Sequence, residues 1–290
     1  MNNTLVKLKL SSSVFIFGTI GIFVEFIPLP SGAIAFVRGV VGALCLLIFA
    51  LLTKTEISFK NIKANLPLLL LSGGAIGFNW ILLFEAYRHT TVATATICYY
   101  MAPVFVILAS PYVLKEKLTF KNIVCIGVAL LGMVFVSGAF KDTSGSGDDI
   151  IGILFGLAAA VLYASVILLN KKTGEISAHN KTTMQLAVAA IVVLPYVIFA
   201  EEVTIQSHTT VGIILLLCVG VIHTGIAYLL YFGAVKELPA QTVAIFGYID
   251  PVVAIILSVL ILRQIPDMYE IIGAILILAS TFVSEIKLNN

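Results

Sequence analysis

The sequence predicts an all-α integral membrane protein, with ten transmembrane helices arranged as two inverted five-helix repeats. Three observations carry this. Of 290 residues, 60% are apolar and 11% charged, and the mean hydropathy is +1.11. A soluble domain is about 45–50% apolar and about 25% charged, so these few charges cannot cover a water-facing surface and the solvent must be lipid. Apolar runs of roughly 20 residues, the length at which a helix satisfies its own backbone across hydrocarbon, recur along the whole chain. Finally, ICYYMAPVFVILAS at Ile97–Ser110 returns as IFGYIDPVVAIILS at Ile245–Ser258.

The spans follow in order from their apolar runs and from the turn or charge signals that end them. The first, 10–27, follows Lys7 and Lys9 and resembles a basic signal region, but it runs on into a hairpin at PLPSG without a convincing cleavage site, so it reads as a span. The second, 31–53, stops at KTEISFKNIK; the third, 66–87, at RHT; the fourth, 91–114, at KEK; and the fifth, 121–139, at KDTSGSGDD. The sixth, 150–170, ends at KKTGEISAHNK; the seventh, 182–200, at EEVTIQSH; the eighth, 211–235, at KELPA; the ninth, 240–262, at RQIPD; and the tenth is 267–285. Domains are therefore expected at 1–140 and 150–290, with an extracytoplasmic linker at 141–149.

Lysines and arginines orient the chain. With the N-terminus in the cytoplasm, thirteen lysines fall in inner segments against Arg88, Lys141 and Arg263 outside, and Arg38 lies within the second span. That bias predicts a multi-pass protein of the inner (cytoplasmic) membrane with both termini cytoplasmic. A net charge of +2 gives no nucleic-acid footprint. Cys45, Cys98, Cys125 and Cys218 all sit in apolar runs without CxxC spacing, and read as small core residues rather than disulfides or metal ligands.

At a constant offset of 148, residues 77–115 match 225–263 with 12 identities in 39, among them Gly77, Thr94, Tyr100 and Pro103. Phe17-Gly18 matches Phe155-Gly156 at an offset of 138. Each half then holds five spans, and an odd number inverts the second copy. Inverted halves can exchange conformations and open one central site to either face in turn.

Ionisable groups at mid-membrane cost about 2.5–3.5 kcal/mol or more, so each calls for a partner or a role. His223 and Asp250, counted outward from KELPA, lie at similar depth on antiparallel neighbours and can meet or face one cavity. His223 is either a hydrogen-bonded neutral imidazole or a group that contacts substrate or exchanges protons. Asp250 suits a cation, an ammonium group or a proton; alternatively it pairs structurally or bonds backbone loosened by Pro251. Pro103 and Pro251 can kink their helices at equivalent places. Arg38 needs an acceptor, and Glu25 across the PLPSG hairpin is the expected one; an outer gate or a carboxylate-binding arginine is the other option. Glu85 joins them as a gating residue or a solvated interfacial one. Asn79, Trp80, Tyr99 and Tyr100 offer hydrogen bonds and aromatic faces to a substrate, or pack.

FGTIGIFVEFIPLP followed by Arg38, the pattern Ala86-Tyr87-Arg88…Ala93, Pro103 in the fourth span and LKEKLT before a glycine-bearing fifth span resemble the EamA branch of the drug/metabolite transporter superfamily. The resemblance covers essentially the whole chain. It implies two inverted five-helix halves around a central cavity, and the movement of amino acids, other small metabolites or toxic compounds, often outward. Asp250, where the first half has Ala102, and Glu25 depart from that pattern. The expected function is therefore a secondary transporter, in all expectation an exporter of small organic metabolites such as amino acids or related compounds. Its partners would be the small-molecule substrate and the bilayer, with either protons as a coupling ion through Asp250, His223 or Glu85 or uncoupled facilitated export, in a monomer or homodimer. No cofactor, metal or catalytic residue is expected, since no Walker GxxxxGK[ST], HExxH or GxSxG occurs. A lipid or isoprenoid-phosphate flippase is the alternative, with Arg38 the one deep cation, and an intramembrane enzyme ranks below it.

Overall fold

The computed structural model describes residues 3–115, 118–137, 147–202, 210–235, 237–238, 243 and 246–285, and among them every regular element is helical. The helices are α1 (Asn3–Glu25), α2 (Ser31–Thr53), the short α3 (Phe59–Ala64), α4 (Leu66–His89), α5 (Val92–Tyr99), α6 (Ala102–Val113), α7 (Phe120–Val136), α8 (Gly147–Lys172) and α9 (Ala178–Ala200). After these come α10 (Thr210–Gly220), a π turn (Val221–Ile226), α11 (Ala227–Val235), α12 (Ile249–Leu262) and α13 (Met268–Glu285).

Seven segments are long and apolar enough to cross a membrane, with α5 and α6 counted as one and α10, the π turn and α11 as another; Phe120–Val136, Ile249–Leu262 and Met268–Ser284 are shorter apolar helices. The ten predicted spans thus correspond to seven long segments and three short ones. Most of the predicted start of the ninth span, and residues 141–146 of the predicted linker, lie outside the described residues. Large apolar side chains point outward as freely as inward, among them Leu52, Phe199 and Leu260. This is the distribution expected where lipid replaces water.

The fourth span is broken. Met101 bonds back to the Cys98 carbonyl instead of continuing the α register, and Pro103 stands in the first turn of α6. A proline at that position has no N–H to give the Tyr99 carbonyl and crowds it, so the helix restarts. The same happens near the other matching proline, where the chain turns at Tyr248 three residues before Pro251.

Small residues let these helices approach. A Cβ on Gly132 of α7 would stand 2.9 Å from the Gly273 carbonyl of α13, and one on Gly273 2.6 Å from the Gly132 carbonyl. Without a hydrophobic drive between helices in lipid, such close backbone packing is what holds them. α4 packs on α8 and α9, α2 on α9 and the π turn, α1 on α11 and α12, and α8 on α5 and α6. Buried Gln185 of α9 adds a polar clamp, its Nε2 donating to Ser72 Oγ of α4 and Asn170 Oδ1 of α8, both at 2.7 Å.

Candidate functional site

The two proline breaks face the middle of the bundle. Asp250 lies in the first turn of α12, where the partial positive charge of a helix N-terminus favours a carboxylate. The Tyr100 hydroxyl at the α5–α6 break donates to the Gly247 carbonyl, three residues before Asp250, at 3.2 Å. Tyr99 stacks on Tyr163 of α8 with ring centres 5.3 Å apart, and its hydroxyl donates to Asn79 Oδ1 at 3.4 Å. Asn79 is buried and its Nδ2 donates to the Ala159 carbonyl at 2.6 Å, which ties α4 to α8. Asp250, Tyr99 and Tyr100 are half-buried, and Tyr163 is exposed.

Arg38 and Trp80 stack on each other. The guanidinium carbon lies 4.1 Å from the centre of the Trp80 ring and 5.9 Å from that of Phe84. Its Nε donates to Thr224 Oγ1 at 3.0 Å, and Thr224 donates in turn to the Val219 carbonyl at 3.1 Å. Thr224 and His223 both lie in the π turn, and both are buried. His223 is 1% exposed, with Nε2 2.8 Å from Thr19 Oγ1 of α1, Nδ1 3.3 Å from the Cys218 carbonyl, and its ring edge-on to Phe23 at 4.7 Å. Both nitrogens are engaged, and no direct bond joins His223 to Asp250.

The expected Glu25–Arg38 pair does not form. Glu25 is exposed at the end of α1 and shares a cavity of about 440 Å³ with Tyr87 and Arg88. Arg38 is turned away beneath Trp80, because its α2 neighbours Gly39 and Gly42 face α9 and the π turn. Arg88, not Arg38, is the charge beside Glu25, and it donates to the Leu29 carbonyl. Glu85 lines a second cavity of about 480 Å³ with Tyr196, Glu201 and Glu202, with its carboxylate 3.8 Å from His89. His89 also meets Asp148 of α8 at 2.6 Å.

Sequence reasoning missed Glu201. The residue before α2 is Pro30, which has no side-chain acceptor for the helix N-terminus. Glu201 takes that role from the end of α9: its two carboxylate oxygens accept from Gly32 N at 2.7 Å and Ala33 N at 2.9 Å. No local signal announces a cap that lies 169 residues away along the chain. Partial burial outweighs those two bonds and raises the Glu201 carboxyl above its ordinary 4.5. A carboxyl raised in the fold adds stability that is full below its unfolded value and is lost as pH rises through its folded value. The melting temperature of the wild type relative to Glu201→Gln should therefore rise as pH is lowered toward 4.5. A flat difference between the two proteins would show that Glu201 does not titrate there.

Helices of membrane-crossing length, with breaks beside Pro103 and Pro251, define a multi-pass membrane protein. The EamA-like transporter family model matches residues 8–138 and 150–285, and the chain belongs to that family. It is 31% identical to the uncharacterized transporter YxxF of Bacillus subtilis (strain 168), covering 97% of this chain and 89% of that protein. It is 26% identical to the pseudopaline exporter CntI of Pseudomonas aeruginosa (strain UCBPP-PA14), over 87% of this chain and 85% of the other. A solved crystal structure superimposes with a TM-score of 0.66 at 18% identity, covering 97% of this chain and 96% of that one, a likeness of fold.

Proposed function

We propose that the protein is a secondary transporter that exports small organic metabolites, amino-acid-like ones foremost, by alternating access between two inverted five-helix halves. Residues 1–140 and 150–290 form the halves, ten helices span the cytoplasmic membrane, and both termini are cytoplasmic. Asp250, His223, Asn79, Trp80, Tyr99 and Tyr100 surround the substrate, Pro103 and Pro251 provide the breaks that shape its site, and Glu25, Arg38 and Glu85 serve at gates or in binding. Protons are the coupling ion this reading favours, with Asp250 the group placed to carry one.

The observation that carries the reading is how the helices pair. Group α1, α2, α4, α5–α6 and α7 as one half, and α8, α9, α10–α11, α12 and α13 as the other. Exchanging the halves turns α4–α8 into the contact of α10–α11 with α1, α4–α9 into that of α10 and the π turn with α2, and α1–α12 into α8 with α5 and α6. The pairs α2–α9, α5–α12 and α7–α13 map onto themselves. Glycines follow the same rule: Gly18 presses on α12 as Gly156 does on α5, and Gly77 presses on α9 as Gly225 does on α2. Two matches of one family model and a named exporter among the relatives support the duplication and the outward direction. Alternating access by relative motion of such halves is the recognised use of this symmetry.

Reconstitution into liposomes tests it. Protein loaded with unlabelled amino acids should exchange them for labelled external ones, saturably and without ATP. Cysteines introduced at both ends should be labelled from the same side. Ends on opposite sides, or no exchange of any amino acid, would count against the reading.

A further inference from the structure

Arg38 stands out once Glu25 is removed as its partner. It is 6% exposed, and no carboxylate among the described residues pairs with it. Thr224 occupies Nε, Trp80 covers one face, and the two terminal nitrogens have no acceptor among the described residues. Those nitrogens are not among the fully enclosed, unsatisfied atoms of the described residues. A buried charge without a counter-ion is expensive, and nothing in the packing requires a guanidinium here.

Resting on the transport reading above, we infer that Arg38 is the anion anchor of the substrate site: its terminal nitrogens, fixed by Thr224 and Trp80, bind a carboxylate of the transported solute. A guanidinium presents two parallel N–H groups that match a planar carboxylate, and a fork already held in place loses little entropy on binding. Asp250 narrows the class further. Its charge acts on Arg38 through space without an ion pair. A doubly charged phosphate would meet that repulsion, whereas a monoanion with a cationic group for the Asp250 side would not. Specificity then lies in a carboxylate at Arg38 and an ammonium or neutral donor toward Asp250, with aromatic walls between.

The chain has a single tryptophan, and it is the ring on which Arg38 stacks. Trp80 emission therefore reports directly on this subsite in purified, detergent-solubilised protein. The probes are the proteinogenic amino acids and their carboxamides, which keep each side chain and ammonium but lack the carboxylate. At least one amino acid should change Trp80 emission saturably, and its amide should bind about 100-fold less well or not at all. Arg38→Lys keeps the charge but loses the fork, and should weaken binding roughly tenfold. Arg38→Gln should abolish the response while leaving the melting temperature of the ligand-free protein equal or higher, since it removes an unpaired buried charge.

Equal binding of acid and amide, unchanged affinity in Arg38→Gln, or no response to any amino acid would overturn the assignment. So would a collapse in melting temperature of Arg38→Gln coupled with unaltered affinity in Arg38→Lys, because that pattern marks a structural arginine. O-phosphoserine binding more tightly than serine would overturn the carboxylate and move the site to phosphate esters. Carboxylate-dependent binding without exchange in liposomes would leave Arg38 in place and fail the transport reading; exchange of acids and amides alike would do the reverse.

Discussion

Gly18→Ala is expected to reduce exchange in liposomes by about tenfold or more and to lower the melting temperature. A Cβ at Gly18 would lie 2.5 Å from the backbone carbonyl of Asp250 and 2.8 Å from Val253 Cβ. Backbone cannot step aside as a flexible side chain can, so α1 must move off α12 at the residue that presents the Asp250 carboxyl. Overpacking of this kind costs about 1–3 kcal/mol, and a displacement of even half an ångström spoils a binding geometry. Its repeat counterpart gives an internal comparison. At Gly156 the nearest atoms would be Cys98 Cβ at 2.9 Å and the Ala95 carbonyl at 3.3 Å, so Gly156→Ala should be milder. Gly127, with nothing within 4 Å of its added Cβ, should accept alanine without loss. If Gly18→Ala exchanges solute like the wild type, the α1–α12 crossing is looser than described and Asp250 is not held by it.

The second large effect is expected at Asp250. Asp250→Asn should lower exchange roughly tenfold or more while the protein stays monodisperse and folded. Asparagine preserves the size and shape of the side chain, so packing is kept and only the ionisable group is lost. The helix N-terminus favours the lost anion by about 0.3–1 kcal/mol, a small matter for stability beside the loss of the group proposed to act in transport. Tyr100→Phe removes the hydroxyl that holds the Gly247 carbonyl just before Asp250 and should have a smaller effect of the same sign. Exchange that is unchanged in Asp250→Asn, in protein shown to be folded, would remove Asp250 from the site and with it the route for proton coupling. Loss of exchange with an altered pH dependence in Tyr100→Phe would favour that route, because a neutral phenyl ring affects proton transfer at Asp250 without removing its charge.

Both effects were partly visible in the chain. The match of Phe17-Gly18 with Phe155-Gly156, and of the two proline segments at an offset of 148, places equivalent glycines and breaks at equivalent points. Asp250 is conspicuous because a carboxyl in an apolar run is costly wherever it lies. Partners were not visible. Glu25 was expected to neutralise Arg38 because a hairpin joins their helices, yet rotation of α2 about its own axis sends Arg38 to Thr224 and Trp80 instead. Thr19 as a partner of His223, Glu201 as the cap of α2 and Gln185 as a clamp of three helices link residues between 15 and 204 positions apart. The π turn that carries Thr224 and His223 has no distinguishing composition in VIHTGI.

By itself the sequence determined the solvent, the run lengths that can cross it and the internal match between its two proline segments. These follow from transfer free energies and backbone hydrogen bonding, which act residue by residue or within one turn. Tertiary structure alone decided which polar groups meet, which helix ends receive caps from afar and which buried charge is left without a partner. Those outcomes depend on the rotation and crossing of each helix against its neighbours, and that balance is summed over whole interfaces whose two sides lie far apart in the chain.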